Sequence, residues 1–181
     1  MNLTGRPAVI TGGGRGVGAA AAYALAEAGA TVAVAARNEE QVVDVAAQLR
    51  QRGYEAFAFR CDVTDHHQVR DLALSASETM GKVDILINNA GTATSNPLSE
   101  VKLQEWNHIM AVNATGTFLC TQAMYPGMVN RGVGAYRECR RHCWNRRGPG
   151  ALGVRSGRAR RSWVHEGDCQ GGRGGTGVTV N

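Results

Sequence analysis

The sequence predicts an α/β fold, a doubly wound parallel sheet that becomes irregular and truncated after about residue 131. Two observations in the first 130 residues predict it. Short apolar segments alternate with longer alanine-rich or amphipathic ones, which is the order of βαβ units. The short segments are continuously apolar, as in strands that helices cover on both faces. Right-handed crossovers between such strands then place helices on both faces of the sheet.

Each predicted element has its own local signal. The first helix is alanine-rich and ends at Gly29, a residue suited to a helix C-cap. Asn38 caps the second helix, and either Thr64 or Asp65 caps the third, because short polar side chains accept hydrogen bonds from first-turn amides. The predicted elements are, in chain order, strand Pro7–Thr11, helix Val17–Ala28, strand Thr31–Ala36, helix Glu39–Arg52, strand Ala56–Arg60, a helix reaching about Met80, strand Val83–Asn88 and helix Leu103–Met128.

Composition places the chain among ordinary globular proteins. It has 181 residues, of which 43% are hydrophobic. No apolar stretch approaches the ~20 residues that cross a bilayer, and the N-terminus lacks the pattern of a secretory signal. Five irregularly spaced cysteines do not suggest a disulfide framework. These features predict a cytoplasmic protein without a membrane partner.

A glycine-rich loop, TGGGRGVG at Thr11–Gly18, follows the first strand and opens the first helix. Glycines let a backbone approach a pyrophosphate closely, and the free amides and dipole of a helix N-terminus attract the anion. A glycine-rich turn without a ligand is the alternative, which the strand–turn–helix context disfavours. The loop therefore predicts a Rossmann-like dinucleotide site. Its candidate residues are Gly12, Gly14, Arg15, Gly16, Val17 and Gly18.

The end of the second strand predicts the cofactor type. A carboxylate there would bind the ribose hydroxyls of NAD, but the chain has Ala36 followed by Arg37. A guanidinium suits the 2′-phosphate of NADP, and Arg15 can supply a second cation. The alternative is that Arg37 is a solvated surface residue. We predict NADP(H).

Four motifs in order and spacing resemble the short-chain dehydrogenase/reductase family. They are TGGGRGVG at Thr11–Gly18, CDVTD at Cys61–Asp65, NNAG at Asn88–Gly91 and the asparagine of VNATGTF, Asn113. The resemblance covers about residues 5–132, and TGVTVN at Thr176–Asn181 returns to it. It is closest to the 3-oxoacyl (ketoacyl) reductase branch.

The resemblance implies an oxidoreductase that reduces a ketone, such as a 3-oxoacyl thioester or a polyketide, to an alcohol. Asp62 and Val63 would then flank the adenine, and Asn113 would be the structural and proton-relay member of the catalytic tetrad. Without the resemblance, Asn88 and Asn89 are strand-end turn residues, and Asn113 is an ordinary helix asparagine. The family commonly forms dimers and tetramers, so a homo-oligomer is possible. The residues implied to line the cofactor beside the fourth strand are Asn89, Ala90 and Gly91.

The sequence departs from the family pattern where the catalytic Tyr-x-x-x-Lys is expected. About forty residues after Asn113, positions 153–160 read Gly-Val-Arg-Ser-Gly-Arg-Ala-Arg. Tyr136 and Arg140 have the spacing but come too early, and arginine is a poor substitute for lysine. Cys143 lies near the expected serine and receives no role. We expect this chain to be inactive as written, and we expect that the family's substrate-covering part, which follows TGVTVN, is missing.

An Arg/Gly-rich segment, residues 132–175, separates the NADP-binding domain, 1–131, from the return to the family pattern at 176–181. Eleven arginines lie in the stretch from Arg131 to Arg173 inclusive, and this stretch is the source of the chain's net charge of +5. Such a composition is typical of disorder. A second function is therefore possible, a non-catalytic dinucleotide-binding protein whose basic tail contacts nucleic acid or another acidic partner, although we regard nucleic acid as disfavoured.

Two further interpretations of this segment differ in what they predict. Cys139, Cys143, His165 and Cys169 can supply four zinc ligands, but their spacing is not a standard one, and we predict no metal site. The interpretation that we prefer is translation out of frame. A one-base shift over residues 135–140 permits the apolar strand Arg-Ile-Val-Asn-Val, and other shifts permit the missing tyrosine and lysine in order.

Overall fold

A computed structural model describes residues 2–81, 83–129, 133–138 and 177–180. Its helices are α1 (Gly16–Glu27), α2 (Glu39–Gln51), α3 (His66–Met80), α4 (Leu103–Met110) and α5 (Gly116–Val129). A π-helical turn, Ala111–Thr115, joins α4 to α5, and a short 3₁₀ turn covers Leu98–Glu100. The strands are β1 (Pro7–Thr11), β2 (Thr31–Ala36), β3 (Ala56–Arg60), β4 (Ile85–Asn88), β5 (Val133–Glu138) and β6 (Gly177–Val180).

The six strands form one parallel sheet in the order β3-β2-β1-β4-β5-β6. β1 lies between β2 and β4, so successive strands are added first on one side of β1 and then on the other. The order reverses between β1 and β4, and in doubly wound folds ligands bind beyond the carboxyl ends of the strands at such a point. The predicted fold class is confirmed.

Neighbouring side chains of a strand point to opposite faces of the sheet, and in the central strands the side chains of both faces are buried. Val9 of β1 lies in one apolar cluster with Leu86 and Met128, on the side of α3 and α5. Ile10 of the same strand lies in the second cluster with Val34 and other residues on the side of α1 and α2. All five residues of β1 are buried. This two-sided burial explains why the strands have no alternating polar residues.

Two helix N-termini are capped as the sequence predicts. The Asn38 side chain accepts a hydrogen bond from the Gln41 amide at 3.0 Å. Of the two candidates for α3, Asp65 is the cap, and it accepts from the amides of His67 and Gln68 at 2.9 and 3.2 Å. Gly29 follows α1 with a φ of 95°, a conformation that favours glycine. The helix predicted over Leu103–Met128 is two helices joined through the π-helical turn.

No strand is readable in the sequence after Val83–Asn88, yet the described sheet has two further short strands, β5 and β6. β5 pairs in parallel with β4, with Ile85 opposite Ala135 and Asn88 opposite Glu138, and β6 pairs with β5. The physical reason is that parallel pairing uses backbone amides and carbonyls, which any extended segment offers whether or not its side chains are apolar. The zinc-ligand candidates, the window 153–160 and Arg140 lie outside the described residues.

Among the helices in the described part of the chain, none is long and apolar enough to cross a membrane.

Candidate functional site

The glycine loop needs its glycines to bring β1, α1 and the end of β4 together. Gly12 has a φ of +65°, and a Cβ there would lie 2.9 Å from the Ala90 Cα. A Cβ on Gly18 would overlap the carbonyl oxygen of Gly12 and the side-chain amide of Asn89. Gly14 packs against α2, where a Cβ would lie 2.9 Å from the Cβ of Gln41. The loop therefore follows a close path that larger residues would block.

The N-terminus of α1 has the properties of an anion site. Arg15 occupies the N-cap position in an extended conformation, yet no side chain caps the first turn and no acidic residue lies in it. Arg15, Gly16 and Val17 are exposed, and a Cβ on Gly16 would meet no atom within 4 Å. First-turn amides without an internal acceptor carry partial positive charge and bind phosphates readily. This helix end therefore fits a pyrophosphate.

Asn89 and Thr11 fasten the end of β4 to the glycine loop. The Asn89 side-chain amide donates to the carbonyl oxygens of Thr11 and Gly12 at 3.1 and 3.0 Å. The Thr11 hydroxyl is buried and accepts from the backbone amides of Asn89 and Ala90, each at 3.1 Å. The loop and the NNAG segment thus form one hydrogen-bonded unit. Thr11 has no local signal in the sequence, because its partners lie 78 and 79 residues away in the chain.

Arg37 is exposed at the carboxyl end of β2, on the same edge of the sheet as the glycine loop. Within the described ranges neither Arg37 nor Arg15 forms an ion pair with a side chain. Their charges are therefore left for solvent or for an anionic ligand. In the register of β2 and β3, Ala36 lies opposite the exposed Arg60, which adds a third cation at this edge. Nothing in the sequence pattern had indicated Arg60.

The segment that follows β3 is shaped by its own polar side chains. Thr64 donates to Oδ1 of Asp62 through both its amide, at 2.9 Å, and its hydroxyl, at 2.8 Å. Val63 is buried against α5, where a Cβ on Gly116 would lie 2.7 Å from a Val63 methyl group. Gln68 bonds to this segment from α3 and was not predicted as a site residue. The spacing Asp65-x-x-Gln68, the pattern of a helix capping box, is the local signal that could have indicated it.

Asn113 is exposed in the π-helical turn, and its side chain is bonded to the backbone of Thr92 rather than to α5. Its carbonyl oxygen accepts from the Thr117 hydroxyl at 3.0 Å. π-Helical turns interrupt the regular backbone bonds and are frequent at functional sites. Asn113 and the Asn89–Gly91 segment therefore lie on connected parts of the same edge.

Asn88 is buried at the end of β4 and is only partly satisfied. Its Nδ2 atom donates to the Thr121 hydroxyl at 3.1 Å. Its Oδ1 atom has no hydrogen-bond partner in the described part of the chain. Asn88 thus links β4 to α5 beneath the site.

Two buried cysteines near the site have thiols that resist ionisation. Burial raises the pKa of Cys61 from its usual 9.0 to about 12, and the negative charges of Asp62, Asp65 and Asp71 act in the same direction. Burial likewise raises the pKa of Cys120 to about 12. Hydrogen bonds from Gln68, by contrast, lower the pKa of Asp65. No group of three or more metal-ligating side chains occurs in the described ranges.

Comparison with known proteins gives consistent matches over residues 6–135, which fit the family model described as short chain dehydrogenase. An uncharacterized oxidoreductase from Thermotoga maritima is 38% identical over 132 residues, 73% of this chain and 52% of the relative. D-threitol dehydrogenase from Mycolicibacterium smegmatis is 40% identical over 135 residues, 75% of this chain and 52% of the relative. The chain spans about half the length of these curated relatives.

Solved structures of oxidoreductases also match this chain. A gluconate 5-dehydrogenase from Burkholderia cenocepacia in complex with NADP and tartrate matches with a TM-score of 0.72 and 39% identity, covering 76% of this chain and 54% of that one. A metagenomic short-chain oxidoreductase in complex with NADP has a TM-score of 0.72 and 34% identity, covering 75% and 62%. These matches do not single out the 3-oxoacyl reductase branch. The chain belongs to the short-chain dehydrogenase family.

Proposed function

We propose that this chain provides the cofactor-binding part of an NADP(H)-dependent oxidoreductase that acts on a ketone and its alcohol. The observation that carries the proposal is the uncapped N-terminus of α1, which opens at the reversal of strand order and is fastened there by Asn89. Two solved relatives of similar fold were crystallised with NADP, which supports the same cofactor class for this chain.

The glycine loop would hold the pyrophosphate, because its helix has amides without an internal acceptor. Arg15 and Arg37 would hold the 2′-phosphate by charge-assisted hydrogen bonds. Asp62 and Val63 would flank the adenine. When bound, the cofactor supplies the hydride that a ketone carbon accepts. The residues proposed for the loop and the edge beside β4 are Gly12, Gly14, Gly16, Val17, Gly18, Asn89, Ala90 and Gly91.

Asn113 would take part in the proton transfer that accompanies hydride transfer. Its side-chain amide is occupied by Thr92, and its backbone carbonyl accepts from the Thr117 hydroxyl within the π-helical turn. These bonds support the structural part of the role that the family resemblance implies for Asn113, and the proton-relay part is proposed from the resemblance.

The substrate would be a small ketone. The resemblance to the 3-oxoacyl reductase branch makes a 3-oxoacyl thioester or polyketide one class to test, and the relatives named for D-threitol and gluconate make a polyhydroxylated ketone the other. Because positions 153–160 contain neither tyrosine nor lysine, we also propose that the 181-residue chain binds cofactor without reducing these substrates. A proton donor must lie within about 3 Å of the forming alkoxide, and the sequence offers none at that position.

The proposal is tested by titrating the purified chain with NADPH and following the nicotinamide fluorescence. We expect saturable binding, and we expect no oxidation of NADPH when acetoacetyl thioesters or sugar ketones are added. Absence of binding would contradict the cofactor site. Turnover of a ketone would contradict the claim that this chain lacks its proton donor. Salt-sensitive binding of RNA in place of NADPH would favour the alternative function of the arginine-rich segment.

A further inference from the structure

The segment between β3 and α3 has no regular structure of its own, yet its backbone is tied at several points. β3 ends at Arg60 and α3 begins at His66. Between them the amide of Asp65 donates to the carbonyl of Asp62 at 3.0 Å, and Thr64 occupies one carboxylate oxygen of Asp62, Oδ1. The geometry of Asp62 therefore depends on contacts that are made within a few residues.

Gln68, in the first turn of α3, completes this arrangement. Its side-chain amide links two aspartates. Oε1 accepts from the Asp62 backbone amide at 3.0 Å, and Nε2 donates to Oδ2 of Asp65 at 2.8 Å. Asp62 is thus fixed at both its amide and its carbonyl. The ring of bonds joins Asp62, Gln68 and Asp65 and returns to Asp62 through the Asp65 amide.

A helix cap alone does not account for the bond to Asp62. In a capping box the third residue of the helix bonds back to the amide of the N-cap residue. Here the N-cap is Asp65, but Gln68 reaches three residues further upstream and holds Asp62 instead. The amide of the N-cap is already used by the Asp62 carbonyl. The bond therefore fixes the loop before the helix rather than the first turn of α3.

We propose that Gln68 is a positioning residue for the adenine end of the cofactor. It holds the Asp62 backbone while Thr64 occupies Oδ1, which leaves Oδ2 of Asp62 without a partner in the described ranges. A carboxylate oxygen in this state accepts a hydrogen bond from an amino group such as that of adenine. The inference rests on the proposed function, because it assigns the adenine to Asp62 and Val63.

The test compares three ligands on the full chain by calorimetry. They are NADPH, adenosine 2′,5′-bisphosphate, which keeps the adenine end, and reduced nicotinamide mononucleotide, which lacks it. Gln68→Met keeps the length of the side chain without its hydrogen bonds, and Gln68→Glu keeps an acceptor for the Asp62 amide. Gln48→Ala is the matched control, because Gln48 is exposed on α2 and its side chain bonds only to Tyr23 in the described structure.

Of the two bonds that Gln68→Met removes, the one to the Asp62 amide positions the proposed adenine site. We therefore expect the variant to weaken NADPH and the bisphosphate by about three- to ten-fold, the effect of that one bond, and to leave the mononucleotide unchanged. Gln68→Glu should recover part of the loss, and Gln48→Ala should change nothing. A lower melting temperature with all three affinities unchanged would mean that Gln68 only stabilises α3, and would overturn the proposal. Equal weakening of all three ligands would overturn it too. Failure of the unmutated chain to bind NADPH would instead overturn the proposed function on which it rests.

Discussion

The side-chain amide of Asn113 makes a pair of hydrogen bonds with the backbone of Thr92. Its Oδ1 atom accepts from the Thr92 amide at 2.9 Å, and its Nδ2 atom donates to the Thr92 carbonyl at 2.7 Å. The two residues lie 21 positions apart, one in the π-helical turn and the other directly after Gly91. The pair therefore ties the edge that follows β4 to the start of α5, and it leaves the side-chain amide little capacity for another partner.

Replacing Asn113 by alanine should destabilise the fold as well as disturb the site. Two hydrogen bonds are lost, each with a net contribution of about 0.5–1.5 kcal/mol, so we expect a loss of about 1–3 kcal/mol in the free energy of unfolding. Urea unfolding measures it. Asn107→Ala, at an exposed position of α4, is the control and should change stability by less than about 0.5 kcal/mol. Equal effects of the two substitutions would mean that the bonds to Thr92 stabilise nothing.

Gly18→Ala should damage both the fold and cofactor binding. The added methyl group would overlap the Gly12 carbonyl and the Asn89 side chain, and overpacking of this kind costs about 1–3 kcal/mol. Because Asn89 fastens the loop, we expect a lower melting temperature together with weaker NADPH binding. Ala20→Ser, exposed on the same helix, should leave both unchanged. A Gly18→Ala protein with normal stability and affinity would show that the loop is not closely packed.

Cys61 and Cys120 should resist thiol reagents in the folded protein. Both are buried, and the pKa of each is raised to about 12, so neither forms the reactive thiolate near pH 8. Because the raised pKa favours the neutral thiol, the stability that these groups contribute is complete below about pH 9 and is lost as the pH rises toward 12. Alkylation followed by peptide mass spectrometry should find both thiols unmodified until urea is added. Rapid labelling without urea would contradict their burial.

The sequence predicted those parts of the molecule that depend on local pattern. Apolar runs identified β1 to β4, and short polar residues identified the caps at Asn38 and Asp65, because both signals lie within a few residues. β5 was missed because its pairing with β4 is made by the backbone. The π-helical turn at Asn113 was missed because a shift in backbone bonding has no residue signature.

The site residues, too, could be predicted where their signal is local and not where their partners are distant in the chain. The glycine loop, and the phosphate-binding role that we propose for Arg37, were predicted from residues that are neighbours in the chain. Thr11 could not be found from the sequence, because its hydroxyl acts on amides 78 and 79 residues away. Gln68 had a local signal in the capping spacing, but its bond to Asp62 depends on how the chain bends between β3 and α3.

The preference for NADP(H) over NAD(H) tests the central claim most directly. The measurement is calorimetric titration of the purified chain with NADPH and NADH, repeated with Arg37→Asp and with the charge-matched control Arg50→Asp at the far end of α2. A charge-assisted bond contributes about 1.5–3 kcal/mol, so Arg37→Asp should weaken NADPH by roughly ten- to a hundred-fold and narrow or reverse the preference. Arg50→Asp should leave it intact. We expect the unmutated chain to bind NADPH more tightly, and equal affinity for the two cofactors would contradict the account.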